Sequence, residues 1–223
     1  MPITVWGVTC IPKELPASVA ACPHDLALPE EFVRDLRALY RYSEGRLWNH
    51  TTEKWSSDGE QVEWARRIVL YRSSEIKLAG DPETLTLKEN VSVGELQVLK
   101  KVGNAWEPDT DYQTIGVAHT HTKTYTFSGG DIAALSNTIF DSRYIRIFAV
   151  IREESIHLLL RTALTFVGIR SQPVWNDKAQ AKATKAEKNL PSEFAWNKAI
   201  AEVSTENNCA LYVYDRARFR KIN

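Results

Sequence analysis

The strongest periodic signal in the chain lies between residues 29 and 40, where Phe32, Val33, Leu36, Leu39 and Tyr40 recur at intervals of three and four. That spacing puts them on one stripe of an α-helix. Pro29 fits the first helical position, and Glu30 and Glu31 fit the positive end of the helix dipole. The pattern predicts a core-packing amphipathic helix. A different pattern, apolar and β-branched with hints of period two, predicts strands over residues 62–71, 94–102 and 114–119. The second of these alternates as a half-buried strand should and runs into a Gly103-Asn104 turn. Residues 144–151 and 155–162 are rich in Ile, Val and Leu and predict two central strands with a short connection. Helical patterns return over 131–140, 175–188 and 192–204, and 209–214 predicts a closing strand. Residues 1–28, punctuated by Pro12, Pro16 and Pro23, predict irregular structure with a short strand over 3–8; the polar stretch 43–61 predicts a loop.

Strands and helices are mixed without a regular βαβ alternation. This predicts an α+β fold: a mixed, mostly antiparallel central sheet flanked by helices. The chain divides into an N-terminal arm and amphipathic helix, residues 1–58, and a main domain, residues 59–223.

Composition narrows the partners. Hydrophobic residues make up 43% and charged residues 25% of the 223, enough apolar material for a full core. Lys+Arg and Asp+Glu stand at 28 each, so the net charge is zero and does not point to nucleic acid. No apolar run approaches the roughly 20 residues that span a bilayer. The opening Met-Pro-Ile-Thr-Val-Trp lacks the basic and apolar regions of a secretory signal. The expected location is the cytoplasm, or outside the cell by a route that uses no signal peptide. Three cysteines, with no Cys-x-x-Cys pair, read as buried free thiols; a Cys10–Cys22 bridge is the alternative.

The chemistry concentrates in residues 116–131. His119 and His121 stand one residue apart at the end of a predicted strand, so both imidazoles point to one face. Ser128-Gly-Gly-Asp131 reads as a turn opening a helix, with Asp131 in the first helical turn, able to reach back toward the imidazoles. Two His and one carboxylate, with a fourth position for water, form the ligand set of a catalytic zinc site. Such a site also needs a carboxylate to move protons and a donor for the oxyanion. Ser128, beside Asp131, suits the donor role. Ser128-x-x-Asp131 also suits a plain capping box, with the hydroxyl and the acid closing a helix N-terminus.

The motif His119-x-His121, a short spacer, then Ser128-x-x-Asp131 resembles that of the JAMM (JAB/MPN+) metallopeptidases. The spacer here is six residues, where the family has seven, and Thr122 stands where the family has Pro. The resemblance implies a JAMM/cytidine-deaminase-like sandwich over residues 59–223. It implies Zn2+ held by His119, His121 and Asp131, Ser128 as oxyanion donor, and a Glu on an upstream strand as general base. Glu63 at the start of the 62–71 strand is the first choice for that base, with Glu60 and Glu75 as rivals. The activity implied is hydrolysis of a peptide or isopeptide bond in a protein or peptide substrate. His-Thr-His followed by Phe-Ser-x-x-Asp-Ile also resembles bacterial JAB-like domains at the ends of polymorphic toxins. That implies a toxin or effector role, with an immunity or regulatory protein as a further partner.

A JAMM-fold interaction module without chemistry is the competing class. Zinc-dependent deamination is a third, but its Cys-x-x-Cys and His-x-Glu signature is absent. His24, His50 and His157 fit structural or solvated roles. Trp48, Trp55, Trp64 and Trp106 read as core or loop packing, with a peptide groove as the functional alternative. Lys178, Lys182, Lys185 and Lys188 around an Ala-rich helix read as a solvated face.

Overall fold

The computed structural model describes residues 4–5, 8–9, 14–45, 47–49, 52, 54–56, 62–83, 98–122, 126–136, 145–153, 155–165 and 172–223. The first part of the chain holds β1 (Thr4–Val5), β2 (Val8–Thr9), β3 (Asp25–Leu26), α1 (Glu30–Ser43), β4 (Leu47–Asn49) and β5 (Lys54–Ser56). Then come β6 (Ala65–Tyr71), β7 (Glu75–Glu83), β8 (Leu99–Val102), β9 (Ala105–Pro108), β10 (Tyr112–Thr120) and α2 (Gly129–Ser136). The last part holds β11 (Ile147–Arg152), β12 (Ser155–Arg161), α3 (Gln172–Ala186), α4 (Ser192–Glu206), β13 (Cys209–Asp215) and β14 (Arg218–Lys221).

Eight of the described strands form one sheet in the order β3-β14-β13-β12-β11-β10-β6-β7. Every neighbouring pair is antiparallel except β10 and β11, which are parallel. The α+β class and the mixed, mostly antiparallel sheet therefore stand as the residue pattern implies. A parallel pair needs a crossover connection. Here the crossover contains α2, and this is what carries the chain from the His-x-His strand to Asp131 and back to the sheet.

Alternation along the strands divides the core in two. Ile147, Ala149 and Ile151 of β11 and Ile156, Leu158 and Leu160 of β12 face α1, whose Phe32, Val33, Leu36 and Leu39 cover them. Phe148 and Val150 of β11, Leu159 of β12 and Leu211 of β13 face the other way, under α2, α3 and α4. Residues 1–58 contribute α1 to the first of these cores and β3 to the edge of the sheet. Helix α1 begins one residue after Pro29, whose carbonyl accepts the Val33 N–H at 3.2 Å. It stops before Gly45, which sits at φ 77°.

Four expectations need correcting. The described part of 94–102 is not half-buried: β8 pairs with β9 in a ribbon exposed on both faces, and among the described residues no helix lies over it. The strand at 209–214 does not close the sheet, since β14 and β3 lie beyond it. The polar 43–61 stretch is not all loop; β4 and β5 pair as a hairpin. In place of one strand over 3–8, β1 and β2 pair with each other. Cys22 and Cys209 are buried free thiols, and Cys10 lies outside the described residues. Among the described residues no helix is long and apolar enough to cross a membrane.

Candidate metal centre

The site forms where β10 ends. Val117 of β10 packs under α2–α4, and His119, two residues on, faces the same way. Strand pairing continues past the helical-face histidine: the Thr120 N–H donates to the Trp64 carbonyl at 2.9 Å and the His121 N–H to the Ile151 carbonyl at 3.0 Å. Residues 119–121 therefore stay extended, and the two imidazoles stand side by side with centroids 4.9 Å apart. Gly116 makes this register possible. It lies at the β10 bulge, against β11, where a Cβ would overlap the Ile147 carbonyl oxygen.

Asp131 enters from α2. Ser128 caps that helix: its carbonyl accepts the Ile132 N–H at 3.3 Å, and its hydroxyl accepts the Asp131 N–H at 3.3 Å. In return the Ser128 N–H and hydroxyl donate to Asp131 Oδ2 at 2.6 and 2.8 Å. The carboxylate is thereby turned back to the strand. His119 Nε2 lies 2.9 Å from Asp131 Oδ1, His121 Nε2 lies 3.4 Å from Oδ2, and the two Nε2 atoms are 3.1 Å apart.

These distances test the site's fitness for a cation. A tetrahedral ion bound at about 2.0–2.1 Å separates its ligand atoms by about 3.3 Å. The Nε2–Nε2 separation and the nearest carboxylate oxygen of each histidine all lie within about 0.4 Å of that edge length, although the two histidines meet different oxygens of Asp131. The tautomer agrees as well. His121 Nδ1 lies 2.9 Å from the Thr126 carbonyl, which can only accept, so Nδ1 keeps its proton and Nε2, aimed at the cluster, is the nitrogen that can bind an ion once it has lost its own. The residues thus fit a divalent ion, and among the described residues this trio is the group able to hold one.

The electrostatics follow from burial. His119 and His121 are 6% and 5% exposed and the Asp131 side chain 13%. Burial alone would push the Asp131 pKa up, but the two imidazoles outweigh it and hold the carboxyl well below its ordinary range. For His121 burial opposes the charged form, yet the Asp131 carboxylate, Glu63 and the Thr126 carbonyl prevail and raise it. Glu63 moves the other way. Desolvation dominates and raises its pKa, against the lowering fields of His121 and His119 and a hydrogen bond from the Thr122 N–H.

The three glutamates are separated by register. Ala65 pairs with His119, so two residues earlier Glu63 lies opposite His121. Glu75 sits at the far end of β6, beyond the turn after Tyr71, ion-paired with Lys77 at 3.0 Å. Glu60 lies outside the described residues. His157 is buried on β12 beside the Ser155 hydroxyl at 3.2 Å, His24 is exposed beside Asp25, and His50 lies outside the described residues. Trp64 packs on Tyr42 in the α1 core, behind the sheet from the histidines. Trp106 is 66% exposed on the β9 ribbon. The side chains of Trp48 and Trp55 lie outside the description. Lys178 and Lys182 pair with Glu206 and Glu202 across the outer face of α3 and α4.

Residue reasoning missed one contact. The Trp196 indole N–H, on α4, donates to the Phe127 carbonyl at 3.3 Å, inside the turn that holds both His121 and Asp131. No local pattern announces a bond between residues 69 positions apart. Comparison with family models, with curated proteins and with solved structures finds no match to the chain.

Proposed function

We propose that this chain is a JAMM-like metal-dependent hydrolase that cleaves a peptide or isopeptide bond. The observation that carries the reading is the convergence of His119, His121 and Asp131 ligand atoms within 4.8 Å of one another. Two imidazoles and one carboxylate suit zinc with an open coordination position. Bound there, the ion supplies a water acidified to a pKa of about 7 and a Lewis-acid contact for the scissile carbonyl. His119, His121 and Asp131 hold it. Glu63, with its pKa raised by burial, is closer to neutrality than an ordinary carboxylate. It takes the proton of the attacking water and delivers it to the leaving amine. The Ser128 hydroxyl turns from Asp131 to the developing oxyanion, while the Ser128 N–H keeps its hold on the carboxylate. A protein or peptide substrate, and an effector role with an immunity or regulatory partner, are the finer form of this reading and come from the motif's resemblance.

One observation favours a second reading. Ser128 and Asp131 form a closed capping box, and the carboxylate is satisfied by two imidazoles without any ion. A JAMM-fold interaction module, binding a partner without chemistry, needs no more than that. Elemental analysis of the purified chain decides between them. The hydrolase reading expects about one zinc per chain and chelator-sensitive cleavage of a peptide library. Glu63→Gln keeps that zinc and loses at least about 100-fold in turnover. A folded chain that takes up no zinc supports the module, and full turnover in Glu63→Gln removes Glu63 from the base role.

A further inference from the structure

The turn between the two ligand-bearing elements is fastened from outside. Thr126 gives its carbonyl to His121 Nδ1 at 2.9 Å, and Ser128 gives its N–H to Asp131 Oδ2 at 2.6 Å. Between them lies the Phe127–Ser128 peptide. Its N–H end is the one that grips Asp131. Its carbonyl end accepts the Trp196 indole N–H at 3.3 Å. A peptide group is planar, so a donor fixed on its oxygen fixes the direction of its N–H. The two bonds also polarise each other, since the charge drawn onto the oxygen strengthens the N–H as a donor.

The neighbouring residues leave the plane little other freedom. The Phe127 side chain is fully buried in the core under α2–α4, and the Trp196 ring packs against that same core. One residue on, Gly129 meets Asn176 of α3 so closely that a Cβ would overlap its backbone. Helix α4 thus holds the turn through a hydrogen bond and α3 through contact.

We infer that Trp196 is a positioning residue of the metal centre: its indole N–H sets the orientation of the 127–128 peptide, and through it the reach of Asp131 toward the ion. The inference rests on the metal reading and is tested on affinity, apart from any turnover. The probe is Zn2+, titrated into the full metal-free chain in competition with a chromophoric chelator, with the Co2+ absorption spectrum as a reporter of ligand geometry. Trp196→Phe keeps an aromatic ring in the core and removes the donor. Its Kd for Zn2+ should rise about 10-fold, at the lower end of what loss of an outer-shell partner costs. Its Co2+ bands should shift, and its metal-free melting temperature should stay within about 4 °C of the parent's, the size of a 1 kcal/mol change. A Trp196→Phe protein with parental Kd and parental Co2+ bands overturns the inference. If Trp196→Phe melts lower than that, a benzothiophene isostere of the indole at this position, which keeps the ring shape and lacks the N–H, replaces it. A weakened Kd in the isostere supports the inference and a parental Kd overturns it. A parent chain that binds no Zn2+ defeats the metal reading and the inference with it, whereas tight parental binding matched by both variants defeats the inference alone.

Discussion

At Glu63 two requirements oppose each other. Burial disfavours its charge, and that effect exceeds the attraction of His121 and His119, so the folded protein raises its pKa. An acid whose folded pKa is raised stabilises the fold most below its unfolded pKa of about 4.3 and loses that contribution as pH rises through the folded value. In the metal-free chain at neutral pH, ionised Glu63 is therefore a liability. Glu63→Gln removes the charge and retains an acceptor for the Thr122 N–H. The metal-free variant should melt no lower than the parent at pH 7, and up to a few degrees higher, as differential scanning calorimetry would record. A fall of more than about 4 °C, the equivalent of 1 kcal/mol, contradicts the account. Legibility differs sharply among the residues of the site. His119, His121, Ser128 and Asp131 are readable because their relations are local: a strand's two-residue period and a helix cap's three-residue spacing. Glu63 leads Glu60 and Glu75 in the sequence only through its place at the start of a predicted strand, and it is the β6–β10 register that places Glu63 opposite His121 and Glu75 at the far end. Trp196 carries no local signal at all, because its contact spans 69 residues.

Among the elements, α2 bears most on the site, and its first residue is the weak point. Gly129 has no room for a side chain, because Asn176 of α3 occupies the place a Cβ would take. Two of the three obstructing atoms, the Asn176 nitrogen and Cα, are backbone atoms of a packed helix, so turning the Asn176 side chain away does not suffice and relief requires α3 or the turn to move. Overpacking of this kind typically costs about 1–3 kcal/mol. Gly129→Ala should lower the urea midpoint accordingly with the m-value unchanged, and should weaken zinc binding through displacement of Ser128 and Asp131. Parental stability in Gly129→Ala would show that α3 does not press on the turn. The same element scale explains which parts of the fold the sequence reveals. Helix α1 is legible because its stripe repeats over three turns. Strand β11 is legible because both its faces are buried and apolar, and β12 because Ile156, Leu158 and Leu160 fill one buried face with Leu159 on the other. Strand β14 hides because only Phe219 among Arg218, Arg220 and Lys221 faces the core. Strand β7 hides because its apolar signal, Ile76, Leu78 and the small Ala79, is short and stands beside Glu75 and Lys77. Strand β8 misleads, since its alternation looks half-buried while its residues are exposed on both faces of the ribbon it forms with β9.

On the scale of the molecule, the sheet separates two kinds of core. The α1 side is an apolar layer, while the α2–α4 side carries the buried histidines and carboxylate as well as its own apolar cluster. Buried ionisable groups tie stability to pH, and the sign can be worked out for each. Asp131 is held below its ordinary pKa, so its contribution is present above about pH 4 and is lost as pH falls through the depressed folded value. His121 is raised, so its contribution is complete below about pH 6.5 and is lost as pH rises through the folded value. Glu63, also raised, acts in the same direction as His121, its contribution falling as pH rises from about 4.3 through the folded value. The chelated protein should therefore be most stable in mildly acidic solution and decline as the buffer passes neutrality. Zinc, bound as proposed, should reverse the slope. On the proposed reading it would take the place of the proton that His121 holds beside Asp131, so protons would compete with it at low pH and its affinity would climb as they leave. At 100-fold excess over Kd a bound ion adds about 2.7 kcal/mol, which for a chain of this length is about 5–10 °C. The melting temperatures of zinc-loaded and chelated protein should thus converge near pH 5 and separate steadily toward pH 8, with the chelated curve falling and the loaded curve level or rising. A gap that stays constant across that range would mean that no proton leaves when the ion enters, and that the imidazoles do not hold it.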